Sequence, residues 1–253
     1  MLVMGILNVT PDSFADGGKY LDSTHAIARG IEMISEGVNV IDVGGESTRP
    51  GAERVSVEQE QIRTLPVIKA LVGKGAVISI DTMSADTAKK AVEAGASIVN
   101  DVSGGKADPD MFAVIAALNC KYVLMHWRGH SKDMNSLAVY GDVVLDVIDE
   151  LKEQIEKAIA AGIKRENLIL DPGLGFSKDV KHNWEILDRL HELQALGYPI
   201  LIGASRKRFL GGDNPDKREE ATIDITRSLV GKDIWGVRVH SVKPHREVID
   251  AHV

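Results

Sequence analysis

The strongest constraint on the fold of this chain is a regular alternation of short apolar runs with longer amphipathic segments. Eight runs are rich in Val, Ile and Leu, at positions 1–9, 38–45, 76–81, 97–104, 121–126, 167–173, 199–205 and 234–241. Continuous runs of this kind are typical of parallel strands that are buried on both faces. Between them, apolar residues recur at helical spacing, as at Val144, Val147, Ile148, Leu151 and Ile155.

This alternation predicts one α/β domain over residues 1–253, folded as a (β/α)8 (TIM) barrel. A chain of 253 residues matches the length of one such barrel, and no change in composition marks a boundary. A doubly wound open sheet has the same alternation of strands and helices, so it stays open as the structural alternative.

Charge and composition narrow the possible partners and the compartment. The formal net charge is −7, which argues against nucleic acid as the main partner, because backbone phosphates require a basic face. The one cysteine, Cys120, cannot form a disulfide within the chain, which fits a reducing cytoplasm. The first apolar run is broken by Gly5 and Asn8, so we expect neither a signal peptide nor a membrane span there.

Polar residues end most of the predicted strands, and in this architecture strand ends carry the active site. Taken singly, Asp42 and His126 are better interpreted as hydrogen-bonded structural residues, so neither is a catalytic candidate. The whole ring is harder to explain in that way, because buried carboxylates and amides are costly unless something pairs with them. Its members are Asn8, Glu46, Asp81, Asn100, Asp101, His126, Asp171, Ser205, Lys207, Arg238 and His240.

Two predicted neighbouring strands, the seventh and the eighth, offer donors for an anion. Arg238 and His240 are two residues apart on a strand and therefore share a face. If the seventh strand stays extended, Ser205 and Lys207 share a face as well. Barrel enzymes commonly bind phosphate at this position, and arginine and lysine are the side chains that do so. The alternative is a set of surface charges paired with Asp or Glu.

The third, fourth and sixth strands end in acceptors that suit a flat heterocycle. Asp81 and Asp171 each supply a carboxylate, which can accept two parallel N–H bonds from a 2-amino-4-oxo ring, and Asn100 can donate and accept. Metal binding or internal salt bridges are the alternatives. A zinc site is disfavoured, because the sequence has no Cys/His cluster with ligand spacing. Two long polar loops, at 10–22 and 44–56, are further functional candidates.

Nine motifs along the chain resemble those of the dihydropteroate synthase family. Their sequences are most similar to those of its actinobacterial members. They lie at 4–20, 41–52, 78–83, 99–105, 122–129, 170–176, 182–187, 203–211 and 236–240, and two of them are MGILNVTPDSFADGGKY and IDVGGESTRPGA. The resemblance implies a pterin-binding barrel that is usually a homodimer. It implies that p-aminobenzoate is joined to 6-hydroxymethyl-7,8-dihydropterin diphosphate with release of pyrophosphate, that Mg²⁺ is needed, and that sulfonamides mimic p-aminobenzoate.

The resemblance also assigns roles to residues that match the motifs. The implied pterin contacts are Asp81, Asn100, Asp171 and Lys207, in a slot lined by Met125, Phe176 and Gly203. The implied pyrophosphate contacts are Asn8, which is also the Mg²⁺ ligand, Thr48, Arg238 and His240. The implied p-aminobenzoate contacts are Arg49, Pro50, Ser205 and Lys207. The implied catalytic residues are Asp171, Lys207 and Arg238.

The chain departs from the family pattern in a few places. Ser241 stands where the family usually has Asp, Asp224 and Arg227 fall in a mostly apolar segment, and the last helix is short. A methyltransferase-type pterin-binding barrel and a non-catalytic pterin-binding homologue are the functional alternatives. Loss of Asn8, Lys207 or Arg238 would indicate the second, and all three are present.

Overall fold

The structure, a computed structural model, describes residues 1–9, 19–46, 55–129 and 136–252, with side chains from residue 23 onward in the second range. The strands are β1 (Leu2–Asn8), β2 (Val40–Gly44), β3 (Val77–Asp81), β4 (Ile98–Asp101), β5 (Lys121–Met125), β6 (Leu168–Asp171), β7 (Leu201–Ile202) and β8 (Gly236–Val239). The α-helices are α1 (Lys19–Ser35), α2 (Val57–Leu71), α3 (Ala85–Glu93), α4 (Met111–Leu118), α5 (Val143–Ala160), α6 (Val180–Asp188), α7 (Leu190–Gln194), α8 (Glu219–Leu229) and α9 (Val242–Asp250).

All the strands are parallel, and their order closes a barrel. The sheet runs β6-β5-β4-β3-β2-β1-β8-β7, so β1 lies between β2 and β8. A single parallel bridge, Leu170 to Ile200, joins β6 to the segment that leads into β7. The predicted (β/α)8 barrel is therefore confirmed, and the open doubly wound sheet is excluded because its two edges would not meet.

The interior of the barrel has an apolar layer below a polar one. Met4, Val40, Ile98, Val123, Ile169 and Leu201 form a buried cluster of their own, separate from the larger core between strands and helices. Because side chains two apart on a strand share a face, the next inward position on each strand lies one layer nearer the carboxyl end. Those positions include Asp42, Asn100, Met125, Asp171 and Gly203, so the fold itself gathers the polar strand ends.

Helix ends follow the local chemistry of the sequence. Ser84 begins α3, and its hydroxyl accepts a hydrogen bond from the backbone of Thr87; Asp142 does the same for the start of α5. Such caps satisfy amides that a helix cannot pair internally. Among the described residues, none of the helices combines the length and apolar character needed to span a membrane.

The seventh strand is much shorter than the sequence predicts. An extended run over 199–205 was expected, but β7 covers only Leu201–Ile202. Beyond it Arg206 has a left-handed backbone with φ of 56°, and a short 3-10 helix, Arg208–Leu210, follows. The argument that an extended strand puts Ser205 and Lys207 on one face is therefore wrong, and a turn places Lys207 instead.

Candidate functional site

Arg238 lies between two buried carboxylates at the carboxyl end of the barrel. Its Nε donates to Asp42 Oδ2 at 2.7 Å, and its Nη2 donates to Asp81 Oδ2 at 2.6 Å. Asp42 is fully buried and Asp81 is 8% exposed. Although burial acts against it, the two carboxylates raise the pKa of Arg238. The guanidinium is therefore a fixed positive charge in the site.

Asp42 also fixes the orientation of Asn100. The side-chain nitrogen of Asn100 donates to Asp42 Oδ2 at 2.8 Å, and Asn100 is 2% exposed. Because a carboxylate can only accept, the amide of Asn100 is oriented with its nitrogen toward Asp42 and its oxygen away from it. Asn100 therefore presents an acceptor to whatever lies above this layer.

The pKa of Asp81 is raised to about 7, chiefly by burial. Arg238 opposes this rise, whereas nearby carboxylates, including Asp42, add to it. A buried carboxylate with a raised pKa is stabilised by new N–H donors, because they favour its charged form. Asp81 therefore has too few hydrogen-bond donors around it, and a ligand with ring N–H groups can supply them.

Asp171 and Lys207 form the opposite side of the site. Asp171 Oδ1 accepts a hydrogen bond from the backbone of Gly173 at 2.7 Å. A Cβ placed on Gly203 would lie 3.5 Å from Asp171 Oδ2 and 3.9 Å from Lys207 Nζ, so Gly203 leaves space between these two charges. Burial lowers the pKa of Lys207 to about 8, and the Asp171 carboxylate opposes that shift. The pKa of Asp171 is raised, with burial as the largest cause and Lys207 opposing it.

Apolar groups flank this carboxylate and ammonium. Lys207 Nζ lies 4.7 Å from the centroid of the Phe176 ring and donates to the carbonyl of Leu174. Met125 is buried and pairs in register with Asp171 across β5 and β6. A flat apolar wall beside hydrogen-bonding groups is the usual make-up of a small-molecule site.

Ser205 and His240 are held together beside Arg238. The hydroxyl of Ser205 lies 2.9 Å from His240 Nδ1 and also accepts from the His240 backbone at 3.2 Å. Ser205 is buried at 6% exposure. Its hydroxyl is thus engaged in orienting His240, which stands two residues after Arg238 as the sequence predicts.

Asn8 reaches the site at the end of β1. A Cβ on Gly44 would lie 3.8 Å from Asn8 Oδ1 and 3.6 Å from Asp81 Oδ2, so both oxygens face the space that this glycine leaves. Within the described part of the chain, no group of three or more His, Cys, Asp or Glu is arranged to hold a metal ion. Thr48, Arg49 and Pro50 lie outside the described residues, as does most of each long loop.

Two residues of the predicted ring point away from the site. Asp101 accepts hydrogen bonds from the Tyr122 hydroxyl at 2.6 Å and from the backbone of Ser103 at 2.8 Å, on the outer side of β4. His126 lies 3.0 Å from Glu150 and 2.9 Å from Lys178 and is 2% exposed, so its interpretation as a hydrogen-bonded core residue is confirmed.

Asp42 is the site residue that sequence reasoning missed. The sequence indicates only a hydrogen-bonded structural residue, whereas the structure shows that the partners of Asp42 are two candidate site residues, Arg238 and Asn100. Strand alternation could have identified it. Asp42 stands two residues after Val40 on β2 and so shares its inward face, as Arg238 and His240 share a face at β8.

The departure at Ser241 has a local explanation. Its hydroxyl accepts from Arg206 Nη2 at 2.8 Å, and Arg206 Nε donates to Glu219 at 2.6 Å. Glu219 thus already supplies a carboxylate to Arg206, and a second one at position 241 is not needed for pairing. Arg206 therefore has a structural role, with Glu219 and Ser241 as its partners. Asp224 and Arg227 pair with each other on the exposed side of α8.

Comparison with known proteins gives consistent matches over nearly the whole chain. Residues 4–240 match the family model described as "Pterin binding enzyme". The dihydropteroate synthase of Mycobacterium leprae is 49% identical over 251 residues, which cover 95% of this chain and 88% of that protein.

Solved structures of similar proteins share the fold. The dihydropteroate synthase of Clostridium difficile, in the presence of pteroic acid, is 41% identical with a TM-score of 0.93, covering 99% of this chain and 95% of that one. The Yersinia pestis dihydropteroate synthase, in complex with a sulfonamide drug, is 36% identical with a TM-score of 0.93, covering 99% and 92%.

Proposed function

This chain belongs to the family of pterin-binding enzymes, and from that premise we propose that it is a dihydropteroate synthase. It condenses 6-hydroxymethyl-7,8-dihydropterin diphosphate with p-aminobenzoate and yields 7,8-dihydropteroate and pyrophosphate. It is thus a transferase of folate biosynthesis. The observation that carries this function is the ring of Asp81, Asn100 and Asp171 around the fixed charge of Arg238.

The pterin is bound by acceptors that converge from three strands. Asp81 and Asp171 each offer a carboxylate to the ring N–H and amino groups, and Asn100 offers the oxygen that its bond to Asp42 turns outward. Lys207 donates to the ring from the far side. Met125, Phe176 and Gly203 line the slot, where an aromatic wall favours a flat heterocycle.

Pyrophosphate is bound at the ends of β1 and β8, by Asn8, Thr48, Arg238 and His240. Arg238 donates from Nε and Nη2 to the two carboxylates, which leaves the N–H groups of Nη1 and the second one of Nη2 to donate to phosphate oxygens. Ser205 holds His240 in one orientation beside it. Fixed donors of this kind stabilise charge that develops on a leaving group without reorganisation.

We propose that Mg²⁺ is the cofactor and that Asn8 is its ligand from the protein. The oxygens of Asn8 and Asp81 face the same space above Gly44, and oxygen ligands are those that Mg²⁺ prefers. Mg²⁺ takes much of its coordination from substrate phosphates and water, so one side-chain oxygen from the protein suits it. When bound, the ion supplies further neutralisation of the pyrophosphate charge.

The reaction is a substitution at the methylene carbon of the pterin. The bond from this carbon to the pyrophosphate oxygen breaks, the amine nitrogen of p-aminobenzoate bonds to the carbon, and the amine proton is released. The pterin ring spreads the developing positive charge, and Asp171 stabilises it from β6. Arg238 and His240 stabilise the departing pyrophosphate. With Lys207, which donates to the pterin ring, Asp171 and Arg238 are the proposed catalytic residues.

We propose that p-aminobenzoate binds beside Lys207, with Arg49, Pro50 and Ser205 as its other contacts. Lys207 supplies a positive charge near both substrates, and Arg49 supplies the charge for the carboxylate of p-aminobenzoate. We expect sulfonamides to compete for this position. We further propose that the enzyme is a homodimer in the cytoplasm, for which sedimentation equilibrium should give twice the mass of one chain.

A pyrophosphate-release assay tests the function. Purified protein is supplied with the pterin diphosphate and Mg²⁺, with and without p-aminobenzoate. We expect release that depends on p-aminobenzoate and formation of dihydropteroate in equal amount. Pterin binding without release would favour the non-catalytic alternative, and neither binding nor release would overturn the proposal.

A further inference from the structure

A partly buried hydrogen-bond network centred on Lys178 lies beside the site and has no part in the reaction described above. Lys178 Nζ lies 2.9 Å from His126 Nδ1, 3.1 Å from the carbonyl oxygen of Gly173 and 3.1 Å from that of Phe176. We propose that Lys178 is a positioning residue for the pterin site, which holds the loop between β6 and α6 (residues 172–179, hereafter the β6–α6 loop). The proposal rests on the proposed function of this chain as a pterin-binding synthase.

The hydrogen bonds of His126 determine its tautomer. Its Nε2 lies 3.0 Å from Glu150 Oε2. A carboxylate only accepts, so Nε2 carries the proton and Nδ1 presents a lone pair to Lys178. Burial and the charge of Lys178 lower the pKa of His126 to about 3, which agrees with a neutral ring. Burial lowers the pKa of Lys178 well below its ordinary value, with the Asp171 carboxylate opposing that shift. The geometry nevertheless fits the charged form, because an ammonium has three donors and three acceptors surround Nζ.

Glu150 anchors this network to α5. Arg128 Nε donates to Glu150 Oε1 at 2.9 Å, and its guanidinium lies 3.8 Å from the centroid of the Tyr140 ring. Although burial opposes it, hydrogen bonds from His126 and Arg128 lower the pKa of Glu150 to about 2. Glu150 is therefore ionised and fixed, and it holds His126 against Lys178.

The β6–α6 loop carries the groups that form one side of the pterin slot. The backbone of Gly173 donates to Asp171 Oδ1 at 2.7 Å, the carbonyl of Leu174 accepts from Lys207, and the Phe176 ring lies beside the same ammonium. Gly173 has φ of +68°, and a Cβ there would lie 2.3 Å from the carbonyl oxygen of His126. The loop therefore passes close to the end of β5 in a conformation that only glycine permits.

Lys178 donates hydrogen bonds to two carbonyl oxygens of the β6–α6 loop, those of Gly173 and Phe176. An apolar side chain of similar length would pack in the same place without the cost of burying a charge, but it would leave both carbonyls without that donor. The proposal therefore predicts an effect on one side of the site only. Loss of the ammonium should displace Phe176 and Lys207. On the other side of the barrel, Arg238 should keep its hydrogen bonds to Asp42 and Asp81.

Lys178→Met tests the proposal, with Lys181→Met as a matched control on an exposed lysine three residues later. Binding of 6-hydroxymethylpterin monophosphate is measured by calorimetry, and kcat and KM are measured for both substrates. For Lys178→Met we expect a cooperative melt, a dissociation constant for the pterin about tenfold higher, and a lower kcat. Lys181→Met should behave as the wild type.

The outcomes separate a positioning role from a structural one. A purely structural role would lower the active fraction and leave both the pterin dissociation constant and KM unchanged, which would overturn the proposal. If Lys178→Met does not fold, Lys178→Gln replaces it, because a side-chain amide has only two N–H donors for the three acceptors around Lys178 Nζ. Weaker pterin binding by folded Lys178→Gln supports the proposal, and wild-type binding overturns it. Absence of pterin binding by the wild type would instead refute the proposed function.

Discussion

Asn100 on β4 donates its side-chain amide to Asp42 on β2 at 2.8 Å, across the intervening strand β3. The same oxygen of Asp42 accepts from Arg238 Nε at 2.7 Å. One carboxylate therefore orients both an acceptor for the pterin and the cation for the pyrophosphate. It does so from a fully buried position, where hydrogen bonds to a charged group are strong and their loss is costly.

Asp42→Asn should weaken pterin binding without changing any group that touches the pterin. An asparagine has no net charge to offset Arg238, and its own amide competes with the orientation of Asn100. We expect the dissociation constant for 6-hydroxymethylpterin monophosphate to rise about tenfold, as for loss of one charged hydrogen bond. Calorimetric titration measures it, and Asp188→Asn on the exposed side of α6 is the control. Unchanged affinity would show that Asp42 is a passive core residue.

Asp171→Asn should lower kcat more than it weakens binding of the pterin diphosphate. The variant keeps the shape of the side chain but removes the negative charge that stabilises the developing cation. We expect kcat to fall by about 100- to 1,000-fold, with a much smaller rise in KM for the pterin diphosphate. Steady-state kinetics at saturating p-aminobenzoate give both constants. Turnover close to that of the wild type would rule out this role for Asp171.

The activity should fall as the pH rises through about 8. The pKa of Lys207 is lowered to about 8 by burial, with Asp171 opposing and Arg238 adding to the shift. Above that pH the ammonium that donates to the substrates is lost. Lys207→Arg stays protonated, so its slower reaction should lack this decline. A decline that persists in Lys207→Arg would assign the titration to another group.

The same pKa has an opposite consequence for folding. Between about pH 8 and the ordinary lysine value of 10.5, the unfolded chain binds more protons at this position than the folded one. The contribution of Lys207 to the free energy of unfolding therefore increases with pH in that window. Activity and stability should move in opposite directions there, which denaturant unfolding at several pH values can separate from a simple loss of structure.

p-Aminobenzoate should bind weakly to the free enzyme and more tightly once pterin and pyrophosphate are present. Bound pyrophosphate and Mg²⁺ add charges that Thr48 and Arg49 can contact, so the second substrate meets a more complete site. We expect a coupling free energy of about 1–3 kcal/mol, equal in both directions. Calorimetric titration of p-aminobenzoate with and without the pterin, pyrophosphate and Mg²⁺ measures it. Equal affinities in the two titrations would indicate a preformed pocket.

Sequence reasoning worked where a side chain follows from strand alternation. Arg238 and His240 lie on one face of the chain at the end of β8, and Asp81, Asn100 and Asp171 lie at the carboxyl ends of β3, β4 and β6 as expected. It failed where the backbone leaves the extended form. The left-handed turn at Arg206 is not visible in a run such as PILIGAS, because tertiary contacts of Arg206 with Glu219 and Ser241 stabilise it.

The partners of a buried charge were harder to predict than its position. A single acidic residue in a strand has many structural explanations, so the sequence alone does not identify Asp42 as a site residue. Its partners come from residues 58 and 196 positions later in the chain, a relationship that no local pattern encodes. The same holds for Lys178, whose three acceptors are fixed by how two loops meet.

The barrel closes through few backbone contacts between β6 and β7, and a bound pterin would add contacts across this seam. Over residues 168–202, β6 and β7 are joined by the one bridge between Leu170 and Ile200, whereas β1 and β2 pair over five residues. Asp171 and Lys207 stand on opposite sides of this seam. A pterin that contacts both of them would bridge the seam between β6 and β7, so we expect its binding to stabilise the closed barrel at this point. Opening of the seam, which amide exchange at Leu170 would register, should become rarer when the slot is filled.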